Sequence, residues 1–328
     1  MVSIKPYRCI IDTCSNENIK NNKKLLSITI PTYKRFDLLK ETLHSVYENK
    51  FEFDIEVIIV DNDPDNEDLA QSVMHEFLDK PFKYYKNTKN YGMFGNWNQC
   101  LALASGEYIT ILHDDDLLKH NFGDVLSKVL SSDKDFYAFN CNVLDERPES
   151  NKPKTHALYS IVKGGYTYLR NYRYNFRRKI DIKRLFFLNV FMGTLAVVFK
   201  REKAIELDGF NEDYYPISDY HFWAKWIMTY GPIYIEPDFV ARYRIRENET
   251  MRQETIDLFI EKDFLLRKNI SAHSKEMAKY DRYVNLLKLR DRMLFNFSWS
   301  RDEQKYKKNA YTLMKYFCIR IICAIIFI

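Results

Sequence analysis

Gly106-Glu107-Tyr108-Ile109-Thr110-Ile111-Leu112-His113-Asp114-Asp115-Asp116 is the stretch on which the fold turns: an apolar run that ends in three consecutive carboxylates. Apolar residues in near-continuous succession mark a strand buried on both faces, as in a parallel sheet covered by helices. Upstream, Leu26-Ser27-Ile28-Thr29-Ile30 reads as a strand stopped by Pro31, and Ile55-Glu56-Val57-Ile58-Ile59-Val60 as another, followed by the polar loop Asp61-Asn62-Asp63-Pro64-Asp65-Asn66. A short strand fits residues 82–85, and helical periodicity fits 36–47, 69–78 and 94–104. Four strands alternate with three helices, which is the grammar of an α/β fold with a parallel sheet flanked by helices.

Ligands of such sheets sit at the carboxyl ends of the strands. Here those ends read Pro31-Thr32-Tyr33, Asp61-Asn62-Asp63 and His113-Asp114-Asp115-Asp116, so three polar clusters converge on one rim. Neither kind of Gly-rich phosphate loop is present. A pyrophosphate bound here needs another counter-charge, and a divalent cation held by carboxylates supplies one. The aspartate triplet also reads as a solvated acidic turn or an N-cap for a helix starting near His120. Three adjacent carboxylates repel one another, however, and a hard cation relieves that repulsion.

Composition narrows the classes further. The 328 residues are 46% hydrophobic and 16% aromatic, which excludes a disordered chain. The net charge of +5 is uneven: residues 267–328 carry +9 and the remainder −4. A basic C-terminal region on a near-neutral body points to an anionic surface as its partner and not to nucleic acid. The six cysteines have no metal-ligand spacing, and the N-terminus has no apolar leader, so reduced thiols and a cytoplasmic location are expected.

Four segments together resemble the family 2 glycosyltransferases. They are Ser27-Ile28-Thr29-Ile30-Pro31-Thr32-Tyr33-Lys34-Arg35, Glu56-Val57-Ile58-Ile59-Val60-Asp61-Asn62, Asn90-Tyr91-Gly92, and the opening stretch 106–116. The resemblance implies the GT-A fold, a Rossmann-like and mostly parallel sheet. It further implies transfer of a sugar from a nucleotide-diphosphate sugar with Mn²⁺ or Mg²⁺ as cofactor. Carried over by position, Pro31, Thr32, Tyr33 and Arg35 lie along the nucleotide, Asp61 or Asn62 bonds the base, and Asn90 belongs to the same site. Asn62 stands where the family often has a second acid; its carbonyl oxygen still accepts a base N–H. Aligning Leu112 with the residue before the family's Asp-x-Asp gives the metal to Asp115 and a ribose or water contact to Asp114. A literal Asp-x-Asp also exists as Asp114 and Asp116, which makes Asp116 a second metal candidate.

Further along, Met192-Gly193-Thr194-Leu195-Ala196-Val197-Val198-Phe199-Lys200-Arg201 resembles the family's strand beside the acceptor, with Gly193 and Thr194 at the site. A buried strand with a glycine bend reads the same way. Ser218-Asp219-Tyr220-His221-Phe222-Trp223 opens an aromatic helix where the family places Glu-Asp. Asp219 is therefore expected as the general base, or as a first-turn acid of that helix. Arg244 and Arg246 follow in a basic segment that faces the diphosphate in the family or forms a solvated strand edge. The aromatic and cationic stretch 166–178 reads as an acceptor loop or helix.

The expected organisation is an extension at 1–24, a catalytic domain at 25–250 (donor side 25–130, acceptor side 131–250) and a helical appendage at 251–328. The last apolar run, 316–328, is too short to span a bilayer and contains Arg320; with the lysines before it, it fits an interfacial helix on an anionic leaflet. Enzymes of the family with such tails resemble those acting on glycan or polyprenol-linked acceptors in surface-polysaccharide synthesis. Two other functions fit a metal and a parallel sheet: a nucleotidyltransferase, which usually has a Gly-rich basic segment after its first strand, and a non-catalytic nucleotide-sugar-binding protein.

Overall fold

The computed structural model describes residues 2–16, 25–65, 74–147, 178–246 and 252–298, with Lys315, Cys318 and Ile319. Contacts divide the chain into two compact units: Met1–Leu144 with Phe191–Glu212 and Ile233–Arg244, and Asp145–Val190 with Asp213–Pro232 and Ile245–Ile328. This division differs from the expected boundary near residue 250. It groups the segment bearing Asp219 with the C-terminal helices.

The strands in chain order are β1 (Tyr7–Asp12), β2 (Leu26–Thr32), β3 (Ile55–Asp61), β4 (Lys83–Asn87), β5 (Tyr108–Ile111), β6 (Leu117–Leu118), β7 (Phe136–Asp145), β8 (Lys179–Ile180), β9 (Val197–Lys200) and β10 (Ile233–Ile245). In the first unit they run in the order β1-β4-β3-β2-β5-β9-β7-β10-β6. The centre, β4-β3-β2-β5, is parallel, whereas β1, β9, β7 and β6 join antiparallel. Every residue of β2 is buried, as the unbroken apolar reading requires of a strand covered on both faces. Leu39, Leu43 and Val46 of helix Phe36–Tyr47 and Ile28, Ile30, Val57 and Ile59 of the sheet share one core. Helix Gly92–Leu103 packs on the sheet with Phe94, Trp97, Cys100 and Leu101 buried.

Several local expectations shift for physical reasons. β2 runs through Pro31 to Thr32 because its pairing with β5 ends at Thr29, so the missing proline N–H is not needed on that side. Within the expected extension, residues 7–12 form the edge strand β1, paired antiparallel with β4 from Tyr7 with Asn87 to Asp12 with Lys83, with a shift of register between Cys9 and Ile11. Most of its side chains stay exposed, so no apolar run announces it. β9 starts only at Val197, because Gly193 and Ala196 take left-handed φ values of 60° and 59° that break an extended run. Of the helix expected at 69–78, residues 66–73 lie outside the described set and His75–Phe77 form a single 3₁₀ turn.

Gly106 shows why the opening stretch begins as it does. A Cβ there would lie 2.7 Å from the Ser27 backbone nitrogen. Its N–H bonds to Ser27 Oγ at 2.8 Å, and buried Glu56 accepts from the N–H of Ser105 at 2.6 Å and from the Ser27 hydroxyl. The bottom of the sheet is thus latched at the end opposite the polar rim.

The second unit contains helices Ile182–Phe187, Ser218–Tyr230, Gln253–Ala272, Lys275–Ala278 and Val284–Ser298. Val284–Ser298 runs back along Gln253–Ala272, with Phe259 and Phe295 ring centroids 4.7 Å apart and Lys288 Nζ 2.7 Å from Glu261. The stretch 166–177 and nearly all of the apolar tail lie outside the described residues. No described helix is long and apolar enough to cross a membrane.

Candidate active site

β2 and β5 are parallel neighbours, so the residues after both carboxyl ends meet. Thr32 Oγ1 donates to Asp114 Oδ2 at 2.8 Å and the Tyr33 N–H reaches the same oxygen at 3.4 Å. Arg35 Nη1 lies 2.8 Å from Asp115 Oδ2 and 3.7 Å from Asp114 Oδ1. From the buried face of helix Phe36–Tyr47, Thr42 Oγ1 stands 3.0 and 2.8 Å from the carbonyl oxygens of Asp114 and Asp116. The helix thereby pins the backbone of the acidic turn.

Asp116 points inward and has no exposed surface. Its Oδ1 accepts the Arg244 N–H at 2.8 Å and its Oδ2 lies 3.1 Å from His113 Nδ1. His113 Nε2 is 3.0 Å from Thr194 Oγ1, whose hydroxyl donates to Ile111 O at 2.9 Å. With that hydrogen committed, Nε2 supplies the one it shares with Thr194, while Nδ1 faces the Asp116 carboxyl. The ring stacks on Trp97 with centroids 5.1 Å apart and planes at 23°. A Cβ on Gly193 would come within 2.8 Å of His113 Cε1, so both this approach and the φ of +60° call for glycine.

Electrostatics follow from this crowding. Burial and then the Asp115 carboxylate push the Asp114 pKa up to about 7, against Arg35 and the Thr32 hydroxyl. Burial also raises Asp116, with His113 opposing it. Burial works against charge on His113, but the hydrogen bond and field of Asp116, with Asp115 and Asp114 beyond, raise its pKa. One ligand atom each from His113, Asp115 and Asp116 lies within 4.8 Å of the others. Both His113 nitrogens are already engaged, whereas the Asp115 carboxylate is partly open to solvent. A hard cation that binds through one or two carboxylates and keeps waters fits Asp115, whereas Asp116, expected as a second ligand, lies behind it with both oxygens already met by the Arg244 N–H and His113.

The other expected residues divide into open and enclosed. Tyr33 lies on the rim with 43% exposure, with Lys34 Nζ 5.1 Å from its ring centroid, whereas Pro31 is buried within β2. Asp61 is fully buried: Oδ2 takes Tyr84 Oη at 2.6 Å and Lys86 Nζ at 2.9 Å, and Oδ1 takes the Asp63 N–H at 2.9 Å. Asn62 is equally occupied. Its Nδ2 donates to Asn90 Oδ1 at 2.7 Å and Gly92 O at 3.1 Å, while its Oδ1 accepts from Asn87 Nδ2 and the Tyr91 N–H. These contacts make Asn62 and Asn90 a latch for the loop before helix Gly92–Leu103, and none of the carbonyl acceptance expected for a base is left over. Arg244 is 2% exposed, with Nη2 2.5 Å from Glu41 Oε2, and so turns toward the helix Phe36–Tyr47. Arg246 is exposed and belongs to the second unit.

Asp219 lies half-buried in the first turn of helix Ser218–Tyr230, with Ile217 as the preceding cap residue. A carboxylate there is stabilised by the helix dipole. Thr42, Trp97, Glu41, Tyr84 and Lys86 join the site only in three dimensions. Only the lysine next to the paired tyrosines of Lys83-Tyr84-Tyr85-Lys86-Asn87 hinted at a buried partner.

Comparison with known proteins agrees with this geometry. The model of "Glycosyl transferase family 2" matches residues 27–205. A Campylobacter jejuni GalNAc(5)-diNAcBac-PP-undecaprenol beta-1,3-glucosyltransferase is 26% identical over 299 residues, 89% of this chain and 82% of that protein. Abequosyltransferase RfbV of Salmonella typhimurium is 35% identical over 115 residues, 34% of each chain. S. aureus TarS 1-349 in complex with UDP-GlcNAc superposes with a TM-score of 0.58 at 17% identity, covering 90% of this chain and 79% of that one. Mannosyltransferase PcManGT from Pyrobaculum calidifontis, in complex with GDP-Man and Mn²⁺, gives 0.54 at 17% identity over 98% and 90%. At these identities the structures speak for a shared GT-A fold. With the family match covering more than half of the sequence and the acidic rim in place, the chain belongs to glycosyl transferase family 2 and is a glycosyltransferase.

Proposed function

We propose that this glycosyltransferase moves a sugar from a nucleotide-diphosphate donor to an acceptor hydroxyl with inversion at the anomeric carbon. The observation that carries the reading is the convergence of Thr32, Tyr33 and Arg35 on Asp114 and Asp115 at the carboxyl rim of β2 and β5. Tyr33 offers an open ring for the nucleotide base, with Pro31 and Thr32 beside it. Arg35, a cation of the rim paired with Asp115, answers the diphosphate once it leaves that carboxylate. Asp115, with Asp116 behind it, would hold a divalent cation, Mn²⁺ or Mg²⁺, which when bound would supply charge neutralisation for a departing diphosphate. The His113–Thr194 bond orders the Gly193-Thr194 segment that lines the acceptor side.

Asp219 is the base that takes the acceptor proton as the new bond forms. An unassisted hydroxyl is a poor nucleophile, and a positioned carboxylate contributes about 10²–10⁴-fold. A single base opposite the leaving group makes the displacement in-line and inverting. The acceptor is a glycan or polyprenol-linked glycan of surface-polysaccharide synthesis, a reading supported by the undecaprenol-linked substrate in the name of the Campylobacter jejuni relative. The basic region at 267–328 suits work at an anionic membrane surface on the cytoplasmic side.

The test is nucleotide release from a panel of UDP- and GDP-sugars with Mn²⁺ or Mg²⁺, repeated after chelation and with Asp219→Asn. Chelation should abolish release. The variant should keep donor binding and lose transfer by about 10²–10⁴-fold, because Asn retains the helix start and removes the base. Near-normal turnover by a folded Asp219→Asn protein would rule the assignment out.

A further inference from the structure

Three consecutive carbonyls at the end of helix Ile182–Phe187 each receive a donor from a different helix of the second unit. Leu185 O accepts from Tyr220 Oη at 2.7 Å, Phe186 O from Arg267 Nε at 2.7 Å, and Phe187 O from Arg290 Nη1 at 2.6 Å. The last carbonyls of a helix have no partner within it, and here all three residues are buried where water does not reach. The two guanidinium groups are themselves paired. Arg267 Nη1 bonds Asp263, and also Asp291 Oδ2 at 2.7 Å; Arg290 Nε bonds Asp291 Oδ1 at 2.7 Å. The Arg267 guanidinium lies 6.0 Å from the Tyr220 ring centroid. None of Tyr220, Asp263, Arg267, Arg290 and Asp291 is more than 8% exposed.

We propose that Tyr220, Arg267 and Arg290 are positioning residues for Asp219, holding the helix Ser218–Tyr230 at one rotation about its axis. The proposal rests on Asp219 as the base. Tyr220 follows Asp219 directly in the helix, so their side chains leave the axis about 100° apart. Pinning Tyr220 by its hydroxyl and its ring fixes the direction of Asp219. A rotation of about 20° at a carboxylate roughly 6 Å from the axis displaces it by about 2 Å, and misplacement by about 1 Å costs on the order of 100-fold in rate. Each buried guanidinium of the set has a carboxylate partner, the condition under which buried cations are tolerated. Their geometry is directional, as a purely apolar contact would not be. Helices Gln253–Ala272 and Val284–Ser298 are therefore part of the catalytic apparatus and not an accessory to it.

The experiment uses Tyr220→Phe, which keeps the ring and removes one hydrogen bond, and Arg267→Lys, which keeps the charge and loses the fork. Steady-state kinetics on the full chain, with whichever panel donor supports turnover, should show kcat reduced about tenfold for Tyr220→Phe and about 100-fold for Arg267→Lys, with donor KM within about twofold of the parent. In an Asp219→Asn background, Tyr220→Phe should cause no further loss, since no base remains to be placed. Unchanged kcat in a folded Tyr220→Phe protein, or losses that multiply in the double variant, would overturn the proposal. If Arg267→Lys does not fold, the Tyr220→Phe pair of measurements decides alone. Full activity of Asp219→Asn by itself removes the base assignment and leaves a different, recognisable result.

Discussion

Replacing Lys86 with Met tests whether the floor under the acidic rim is held by a buried ion pair. Lys86 and Asp61 are both without exposed surface, 2.9 Å apart, and Asp61 keeps only Tyr84 Oη and the Asp63 N–H when the ammonium is gone. Two hydrogen bonds do not compensate a carboxylate removed from water, and breaking a buried pair from one side costs about 3–5 kcal/mol. Domains are stable by about 5–15 kcal/mol, so the loss is a large part of the total. For a unit of this size each kcal/mol moves the melting temperature by about 2–4 °C, which predicts a fall of about 6–20 °C. Circular dichroism melts of the parent, Lys86→Met, Asp61→Asn and the double variant measure it. The double variant should recover much of the loss, because a neutral Asn beside Met leaves no charge unpaired. A Lys86→Met melt within about 2 °C of the parent, or a double variant worse than both singles together, would refute the argument.

Gly193→Ala should destabilise the turn before β9 by about 1–2 kcal/mol from the left-handed backbone alone, and its Cβ, 2.8 Å from His113 Cε1, should also push the ring off Asp116 and Thr194. Loss of activity beyond the loss of stability is the expected reading; an active, equally stable variant would show that the imidazole has room to move. Burial and then the Lys225 charge lower the His221 pKa to about 4. The unfolded chain, near 6.5, binds that proton more tightly, so the stabilisation is complete above pH 6.5 and is lost as the pH falls toward 4, by at most about 3 kcal/mol. His221→Phe, which keeps the stack on Tyr214, should flatten the melting temperature against pH in that window; equal slopes would contradict it.

Residue pattern alone dictates the parallel core and the rim. Strands such as Ile55–Asp61 are apolar on both faces, and that pattern has one common solution, a covered sheet with ligands at its carboxyl edge. The triplet Asp114-Asp115-Asp116 was legible as a site because local stability gives no reason to crowd like charges. The direction of each side chain was not legible. Asp61, Asn62 and Arg244 stand in the expected segments, yet their polar atoms are met by Tyr84, Lys86, Asn87, Asn90 and Glu41, residues remote in sequence. A hydrogen bond is fixed by position to tenths of an ångström, whereas residue type and spacing fix only which face of a strand or helix a group leaves from. β1 escaped notice for a similar reason: an edge strand needs one partner and half a buried face, too little pattern to see. The joining of the Asp219 helix to the C-terminal helices was decided wholly in three dimensions, because Tyr220, Arg267 and Arg290 come together only at the carbonyls of Leu185, Phe186 and Phe187.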